Sequence, residues 1–298
     1  MRLVTRGDLD GLTCAVFITT CEKIDEIVLV HPQDVTDKRF TVTGDDILAN
    51  LPYQKGCARW FDHHLLTETN ERPPDVFDGR YGLAPSAARM VYEYYLPAKA
   101  DLNRHERLLA EVDRLDSAQL NIDDVLDPRD YILLGYTLDP RTGLGAFHDY
   151  FLKLVSGLRT QPIAEVMAMP EVQERVQRIR EQDVRFREIT LKKSRVEGNV
   201  VISDFREVTP TPVGNRFLVY TLYPLANISL RVHRAPSPEN VAATAGHSIF
   251  NRTSRTNVGE LMARFGGGGH RGAGTCLLPA AVADHKIAEM IATMKKDG

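Results

Sequence analysis

The first third of the chain repeats one pattern that restricts the fold more than any other feature: short apolar runs that end at polar residues or at proline. The runs cover residues 3–5, 26–31, 46–51 and 58–61, and a helical spacing covers residues 12–22 between the first two. Short strands separated by helical or loop crossovers favour a parallel sheet with helices on its faces. In such sheets ligands gather beyond the carboxyl ends of the strands, where residues 6–11 and 62–64 would meet.

The secondary structure that the sequence predicts changes twice in the rest of the chain. Helical spacing continues through residues 84–96 and 104–115, and the charged stretch at 162–191 predicts a solvated connecting helix. Beyond it, β-rich runs such as "NVVISDF" and "ISLRVHR" alternate with proline and glycine. We therefore predict an α/β protein with an N-terminal parallel-sheet domain that has helices on both faces (1–125). A helical connector (126–192) and a smaller C-terminal α+β domain (193–298) follow.

Charge and composition restrict the partners. The formal net charge of −3 gives no overall attraction to nucleic acid or to an anionic membrane, so phosphate binding would need a local site. The sequence begins without the apolar core of a signal peptide, and no run is long and apolar enough to span a bilayer. The four cysteines form no CxxC pair, which fits a reducing compartment. We expect a cytoplasmic protein that does not bind membranes.

The segment "TRGDLDGLTC" (5–14) places two carboxylates, Asp8 and Asp10, on a turn between a strand and a helix, with Gly11 allowing a tight bend. Two carboxylates at this spacing repel each other unless a cation or hydrogen-bond donors neutralise them, and hard divalent cations prefer such oxygen ligands. Helix capping explains one aspartate equally well, because Asp is common at helix N-termini. On these residues alone, capping and metal binding both stay open.

The segment "RWFDHHLL" (59–66) places Asp62, His63 and His64 directly after an apolar strand. A single histidine is more often a structural hydrogen bonder than a ligand, but two imidazoles beside a carboxylate form a plausible metal site. Mixed Asp and His ligation suits Mn, Fe or Zn better than Ca or Mg. The alternative is an ordinary polar corner between a strand and a loop.

Further candidates lie at "EVDRLDSAQL" (111–120) and in the C-terminal third. Asp113 and Asp116 share one helical face, which is either part of a site or a solvated acidic face. In "RFGGGGHRGAG" (264–274), consecutive glycines free the backbone to approach an anion, and His270 and Arg271 follow at the start of a helix or turn. We favour anion binding over a flexible linker. Arg252 and Arg255 can supply phosphate-binding forks or surface charge. Asp139 and Arg141 in "LDPRTGLG" form a weaker candidate.

Taken in this order, the segments resemble the DHH phosphoesterase superfamily, over nearly the whole chain. That superfamily includes RecJ-type exonucleases, nano-RNases that degrade short oligonucleotides, cyclic-dinucleotide phosphodiesterases and exopolyphosphatases. The resemblance implies a catalytic DHH domain, a helical connector and a C-terminal DHHA1 domain marked by GGGH, with substrate bound in the cleft between the two domains. The subgroup that the chain resembles most is exopolyphosphatase-related and nanoRNase-like.

The resemblance also implies roles for individual residues. Asp8 and Asp10 match the carboxylates of the family motif HxDxDG, but Arg6 stands in place of its histidine. Asn50 stands at the position of the second-motif aspartate, while Asp45 and Asp46 lie at the start of that strand. The fourth-motif aspartate best matches Asp116, with Asp113 and Asp139 as fallbacks. The implied metal ligands are Asp8, Asp10, Asp62, His63 and Asp116. The implied catalytic residues are His63 and His64, and the implied substrate-binding residues are Arg252, Gly267, Gly268, Gly269 and His270. Arg6, which departs from the motif, is a catalytic candidate by hypothesis alone, as a fixed positive charge that stabilises phosphate.

The expected activity is metal-dependent hydrolysis of phosphodiester or phosphoanhydride bonds in small nucleotides, short oligonucleotides or polyphosphate. The expected cofactor is Mn²⁺, one or two ions, with Mg²⁺ as an alternative. Long duplex nucleic acid is not expected as a substrate, because the slightly negative net charge argues against the basic stripe that binding along a phosphate backbone needs. A homodimer stays open. In relatives, the motif-one histidine and motif-two aspartate help to hold one of two Mn ions. Guanidinium cannot ligate a cation, and the amide of Asn50 is a poor bridge. The alternative is therefore a catalytically degenerate nucleotide- or phosphate-binding protein with one metal or none.

Overall fold

The computed structural model describes residues 1–66, 70–138 and 147–298, which form two compact units. The first unit comprises Met1–Leu120 and Pro128–Arg178, and the second comprises Asn121–Asp127 and Ile179–Gly298. In chain order, the strands are β1 (Arg2–Thr5), β2 (Glu26–Leu29), β3 (Asp46–Ala49), β4 (Arg59–Asp62), β5 (Gly79–Tyr81), β6 (Ser194–Glu197), β7 (Val200–Asp204), β8 (Ile228–Arg234), β9 (Asn240–His247), β10 (Gly268–His270) and β11 (Ala273–Pro279).

The α-helices, again in chain order, are α1 (Leu9–Cys21), α2 (Pro32–Thr36), α3 (Ala87–Tyr95), α4 (Glu106–Asp116), α5 (Ile122–Leu126), α6 (Asp130–Thr137), α7 (Phe147–Thr160), α8 (Ile163–Met167), α9 (Pro170–Lys193), α10 (Leu218–Leu222), α11 (Val258–Ala263) and α12 (Ala283–Asp297). Short 3₁₀ helices occupy Ala100–His105 and Ala280–Val282.

The first unit is built on a parallel sheet with the strand order β2-β1-β3-β4-β5. Its central strands are buried on both faces. Ile47 and Phe61 contribute to the core formed with α1, α3, α4 and α7, while Leu48 and Trp60 pack in a second core that includes Val35 of α2. This alternation follows from the period of two in a strand and from the apolar character of these runs. The predicted α/β fold class is confirmed, with loop residues and the short α2 covering the second face.

The predicted connector, residues 126–192, does not form a unit of its own. Leu134, Phe151 and Val166 are fully buried in the core of the first unit, so α6, α7 and α8 belong to it. The boundary between the two units falls inside α9, after Arg178. Although the sequence of α9 is highly charged, one face of the helix carries buried apolar side chains at spacings of three, four and seven residues. They include Val172, Val176, Ile179 and Phe186.

The second unit contains a six-stranded sheet with the order β10-β11-β9-β8-β7-β6, in which only β7 and β8 run parallel. Alternate residues of β8, such as Leu230 and Val232, are buried with Met262 of α11 and Met290 of α12. The predicted α+β character of the C-terminal region is confirmed. Across the described ranges, no helix combines the length and the apolar character that crossing a bilayer requires.

Candidate metal centre and C-terminal motif

The sheet order brings the predicted N-terminal motifs together. Thr5, the last residue of β1, pairs with Ala49 of β3, and Ala49 pairs with Phe61 of β4. The residues that follow these strands, 6–8, 50 and 62–64, therefore meet at the carboxyl edge of the sheet, where parallel α/β proteins bind ligands. All of these residues belong to the first unit.

Asp10 is a buried carboxylate anchored by backbone donors. Its two oxygens accept hydrogen bonds from the N–H groups of Ala87 at 2.9 Å and Ala88 at 2.7 Å, at the start of α3. Burial, together with the negative charges of Asp116 and Asp8, raises the pKa of Asp10 well above its usual range. A carboxylate held in this environment is strongly stabilised when a cation lies beside it.

His63 is oriented by one ring nitrogen and directs the other toward carboxylates. Its Nδ1 lies 3.0 Å from the carbonyl oxygen of Ala84, so Nδ1 carries a proton and Nε2 is the ring nitrogen that can act as a ligand once its own proton is lost. Nε2 lies 3.2 Å from Asp116 Oδ2 and 3.8 Å from Asp10 Oδ2, yet within the described part of the chain this buried atom has no hydrogen-bond partner. Burial lowers the pKa of His63, but Asp116 and Asp10 outweigh it and raise the pKa to about 9.

Asp62 and His64 form a second arrangement at the end of β4. The Oδ1 atom of Asp62 accepts from the backbone of His63 at 2.9 Å and lies 2.8 Å from His64 Nδ1. Asp62 is buried, whereas half of the His64 side chain is exposed. The bond to Asp62 fixes the imidazole of His64 and leaves its Nε2 for proton transfer.

The two aspartates of α4, of which the sequence favoured Asp116 and kept Asp113 as a fallback, have different surroundings. Asp113 accepts hydrogen bonds from Ser86 Oγ at 2.6 Å and Arg89 Nε at 3.0 Å, and it forms an ion pair with that guanidinium. Asp116, the last residue of α4, faces His63 instead. The fallback Asp139, and Arg141 beside it, lie outside the described residues.

Arg6, Asp8 and Asn50 lie at the same sheet edge but interact mainly with one another. Asp8 is the N-cap of α1, where its Oδ1 accepts from the N–H of Gly11 at 2.9 Å. Asn50 Nδ2 donates to the same oxygen at 3.0 Å, and Arg6 Nε lies 2.9 Å from Asp8 Oδ2. Asp46 is excluded from the site because it begins β3, at the opposite edge, where it pairs with Arg2.

Among the described residues, two groups of side chains could hold a cation. The Asp10 group consists of Asp10, His63 and Asp116, and the Asp62 group consists of Asp62, His63 and His64. Within each group, one candidate ligand atom from every member lies within 4.8 Å of the others. Oxygen and imidazole donors, together with the unpartnered Nε2 of His63, fit a divalent metal such as Mn²⁺.

The glycine-rich motif forms the edge of the second sheet. Gly268–His270 is β10, and Arg271 and Gly272 form a turn into β11, so of the two expected alternatives, helix or turn, a turn follows the glycines. A Cβ at Gly267 would lie 2.1 Å from the carbonyl oxygen of Thr275, so this glycine is needed for strand packing. Around Gly268, by contrast, a Cβ would meet nothing within 4 Å, so its backbone is open to a ligand.

The neighbouring basic residues of the second unit have distinct contacts. Arg252 Nε donates to the carbonyl oxygen of Ile249 at 2.9 Å, and His270 Nδ1 accepts from the N–H of Gly272 at 3.1 Å. Both side chains are exposed. Arg255 donates to the carbonyl oxygen of Asp297 at 2.8 Å, which gives this arginine a structural contact with the end of α12.

The N-terminus of α3 is a part of the site that the sequence analysis missed. Ala84 orients His63, Ser86 binds Asp113, and the N–H groups of Ala87 and Ala88 hold Asp10. The segment "LAPSAA" carried a usable signal. A proline and a serine N-cap mark a helix start, and two alanines allow a carboxylate to approach the backbone closely.

Comparison with known proteins identifies the family. Neither a protein-family model nor a curated protein matches the chain. Among solved structures, PggH, a pGpG-specific phosphodiesterase from Vibrio cholerae, is 39% identical over 100% of this chain and 99% of that one, with a TM-score of 0.86. The chain belongs to the DHH phosphoesterase family.

Other members of the DHH family share the fold at lower identity. An exopolyphosphatase-related protein from Bacteroides fragilis is 12% identical with a TM-score of 0.54, covering 99% of this chain and 92% of that one. RecJ from Thermus thermophilus in complex with Mn²⁺ is 13% identical with a TM-score of 0.56, covering 99% of this chain and 52% of that one. At these identities the similarity supports the common fold alone.

Proposed function

We propose that the protein is a Mn²⁺-dependent phosphodiesterase that hydrolyses a short linear dinucleotide such as pGpG to two nucleoside monophosphates. The observation that carries this proposal is the Asp10 group, in which the buried Nε2 of His63 lacks a hydrogen-bond partner among the described residues and faces two carboxylates. The full-length similarity at 39% identity to a pGpG-specific phosphodiesterase supports the substrate class.

The metal would be held by Asp10, His63 and Asp116. Asp62, which belongs with His63 to the other group, is a further candidate ligand through the oxygen that His64 does not use. When bound, a divalent cation lowers the pKa of water toward neutrality and offsets the charge on a phosphate. Backbone donors at α3 keep Asp10 in place, and Ala84 keeps the lone pair of His63 on Nε2.

His64 is the candidate general acid. Asp62 fixes its Nδ1, so a proton on Nε2 can pass to the leaving 3′-oxygen. In the overall reaction, the oxygen of water bonds to phosphorus and the bond between phosphorus and the 3′-oxygen breaks. The 3′-oxygen takes up one proton, and each product is a nucleoside monophosphate. In the second unit, the open backbone at Gly268 with Gly267, Gly269, His270 and Arg252 is the candidate phosphate-binding group.

The test is an assay of the purified full-length chain with Mn²⁺ and a substrate panel of pGpG, cyclic dinucleotides, longer oligonucleotides and polyphosphate. We expect mononucleotide release from the linear dinucleotide. His64→Gln should lower kcat by about 10²- to 10⁴-fold, whereas the control His285→Gln, an exposed histidine of α12, should not. Absence of turnover with every substrate would refute the proposal. Retained nucleotide binding in that case would favour the degenerate phosphate-binding alternative.

A further inference from the structure

Asp8 has its acceptor capacity largely used by the protein itself. Its Oδ1 accepts from Gly11 at 2.9 Å and from Asn50 at 3.0 Å, and its Oδ2 lies 2.9 Å from Arg6 Nε. Two hydrogen bonds therefore end on Oδ1 and an ion pair engages Oδ2, so both oxygens of Asp8 have protein partners. Asp8 also belongs to neither of the two cation groups defined above. Its contacts are those of an anchor for other side chains.

Arg6 is held by this anchor at one edge only. Asp8 binds its Nε, and 43% of the Arg6 side chain is exposed. Among the described residues, Asp8 is the ion-pair partner of the Arg6 guanidinium, and the contact is made through Nε. Guanidinium carries a permanent charge and has no lone pair, so it disfavours a second cation beside Asp8. The N–H groups of a guanidinium match the oxygens of a phosphate.

Asn50 supplies an independent sign of a ligand in this part of the site. Its residue is 1% exposed and its backbone is left-handed, with φ of 56°. The amide donates to Asp8, while its buried Oδ1 lacks a partner within the described residues. An unpaired buried acceptor is costly, so this oxygen is suited to a donor or a cation that arrives with the substrate.

We propose that Asp8 is a positioning residue for Arg6 rather than a metal ligand, and that Arg6 binds a non-bridging oxygen of the scissile phosphate. The chain then holds a single divalent cation, in the Asp10 group. The phosphate role of Arg6 rests on the proposed function, whereas the cation stoichiometry can be tested without any substrate.

The stoichiometry is measured on the full chain by equilibrium dialysis against MnCl₂ and by electron paramagnetic resonance. The wild type should bind one Mn²⁺, and Asp8→Asn should keep that ion with an affinity within about threefold, because Asn is an equally good N-cap. Asp116→Asn, the matched removal of one carboxylate, should lose it. Two ions of similar affinity in the wild type, or loss of the ion in Asp8→Asn, would overturn the inference.

The role of Arg6 is measured with pGpG as the probe. Arg6→Ala should lower kcat by about 100-fold or more, with partial recovery in Arg6→Lys or on addition of free guanidinium. Asp8→Asn should also lower kcat, and the double variant should be no slower than the slower single variant, because Asp8 acts through Arg6. If the fold-decrease in kcat of the double variant were the product of the two single-variant decreases, the positioning role would be contradicted.

A third variant separates the parts of the proposal. Arg6→His removes the fixed charge and offers a nitrogen ligand, so we expect a second Mn²⁺ to bind and the affinity for pGpG in EDTA to fall. Unchanged metal content together with unchanged affinity would refute the role of Arg6. If the wild type does not hydrolyse pGpG at all, the proposed function fails, while the cation count still decides whether Asp8 is a ligand.

Discussion

The two aspartates at the end of α4 allow a sharp test of the metal centre. Asp116 Oδ2 lies 3.2 Å from His63 Nε2, and the ligand atoms of the Asp10 group are at most 4.8 Å apart. Asp113, one helical turn earlier, is bound to Ser86 and Arg89 instead. Replacing each by Asn removes the same charge from the same helix, but only the Asp116 change should affect a bound cation.

The size of the effect follows from electrostatics and linkage. A charge pair 4.8 Å apart interacts with about 1 kcal/mol in water and about 3.5 kcal/mol at an effective dielectric of about 20. In metal-free protein, Asp116→Asn removes repulsion from Asp10 but also attraction to His63, so stability should change little. A cation at about 100 times its Kd stabilises the native state by about 2.7 kcal/mol. For a unit of this size that raises Tm by roughly 5–10 °C.

The assay is thermal unfolding followed by the fluorescence of Trp60, the single tryptophan, which is buried in β4 beside Asp62. Mn²⁺ should raise the Tm of the wild type and of Asp113→Asn alike. In the absence of metal, the free energy of unfolding of Asp113→Asn should be lower than that of the wild type by about 1–3 kcal/mol, because Ser86 and Arg89 lose a hydrogen-bonded charge. Asp116→Asn should lose the rise. If it kept the full rise and Asp113→Asn lost it, the assignment of the fourth aspartate would be reversed.

Three further predictions follow from single groups. Because the pKa of His63 is about 9 in the metal-free protein, Mn²⁺ must displace its proton, so affinity should rise about tenfold per pH unit toward pH 9. Calorimetry in buffers of different ionisation enthalpy would detect the released proton, and pH-independent binding would contradict this. Burial, and then Arg104, lower the pKa of His105 to about 4, below its unfolded value near 6.5. The stability from neutral His105 is therefore present above pH 6.5 and lost on acidification to pH 4, by up to about 3 kcal/mol. Denaturant unfolding of His105→Gln should lack this loss, and equal pH profiles would refute it. Gly269→Ala should destabilise the second unit, because φ is 152° and a Cβ would lie 2.2 Å from a carbonyl oxygen. Gly268→Ala should leave calorimetric unfolding unchanged but weaken binding of pGpG, and equal destabilisation by both would refute the distinction.

The sequence predicted the parts of the site that depend on strand ends. Asp62, His63 and Asp10 follow or lie near short apolar strands, and a parallel sheet necessarily brings those ends to one edge. The family motifs also identified Arg6 and Asn50 as unusual. The family motif favoured Asp116 and kept Asp113 as a fallback, because both share a helical face. Tertiary contacts separate them, since Asp113 pairs with Arg89 and Asp116 faces His63.

Other features escaped sequence reasoning because they depend on packing between distant segments. The region at 126–192 looked like a separate connector, since its charge pattern is typical of a solvated helix. Its buried residues, Phe151 and Val172 among them, instead complete the core of the first unit. The backbone donors at Ala87 and Ala88 were also missed, because an N–H group has no side-chain signature.

The energetic state of Asp10 argues for a resident cation over a purely structural cluster. A buried carboxylate with a raised pKa costs folding free energy, and the negative charges of Asp116 and Asp8 beside it add a second penalty. Arg6 does not relieve this cost, since it is bound to Asp8 at the edge of the cluster. A single divalent ion beside Asp10 would offset both penalties at once. Removing that ion with a chelator should therefore lower the Tm of the wild type toward that of Asp116→Asn, and identical Tm values with and without chelator would contradict the argument.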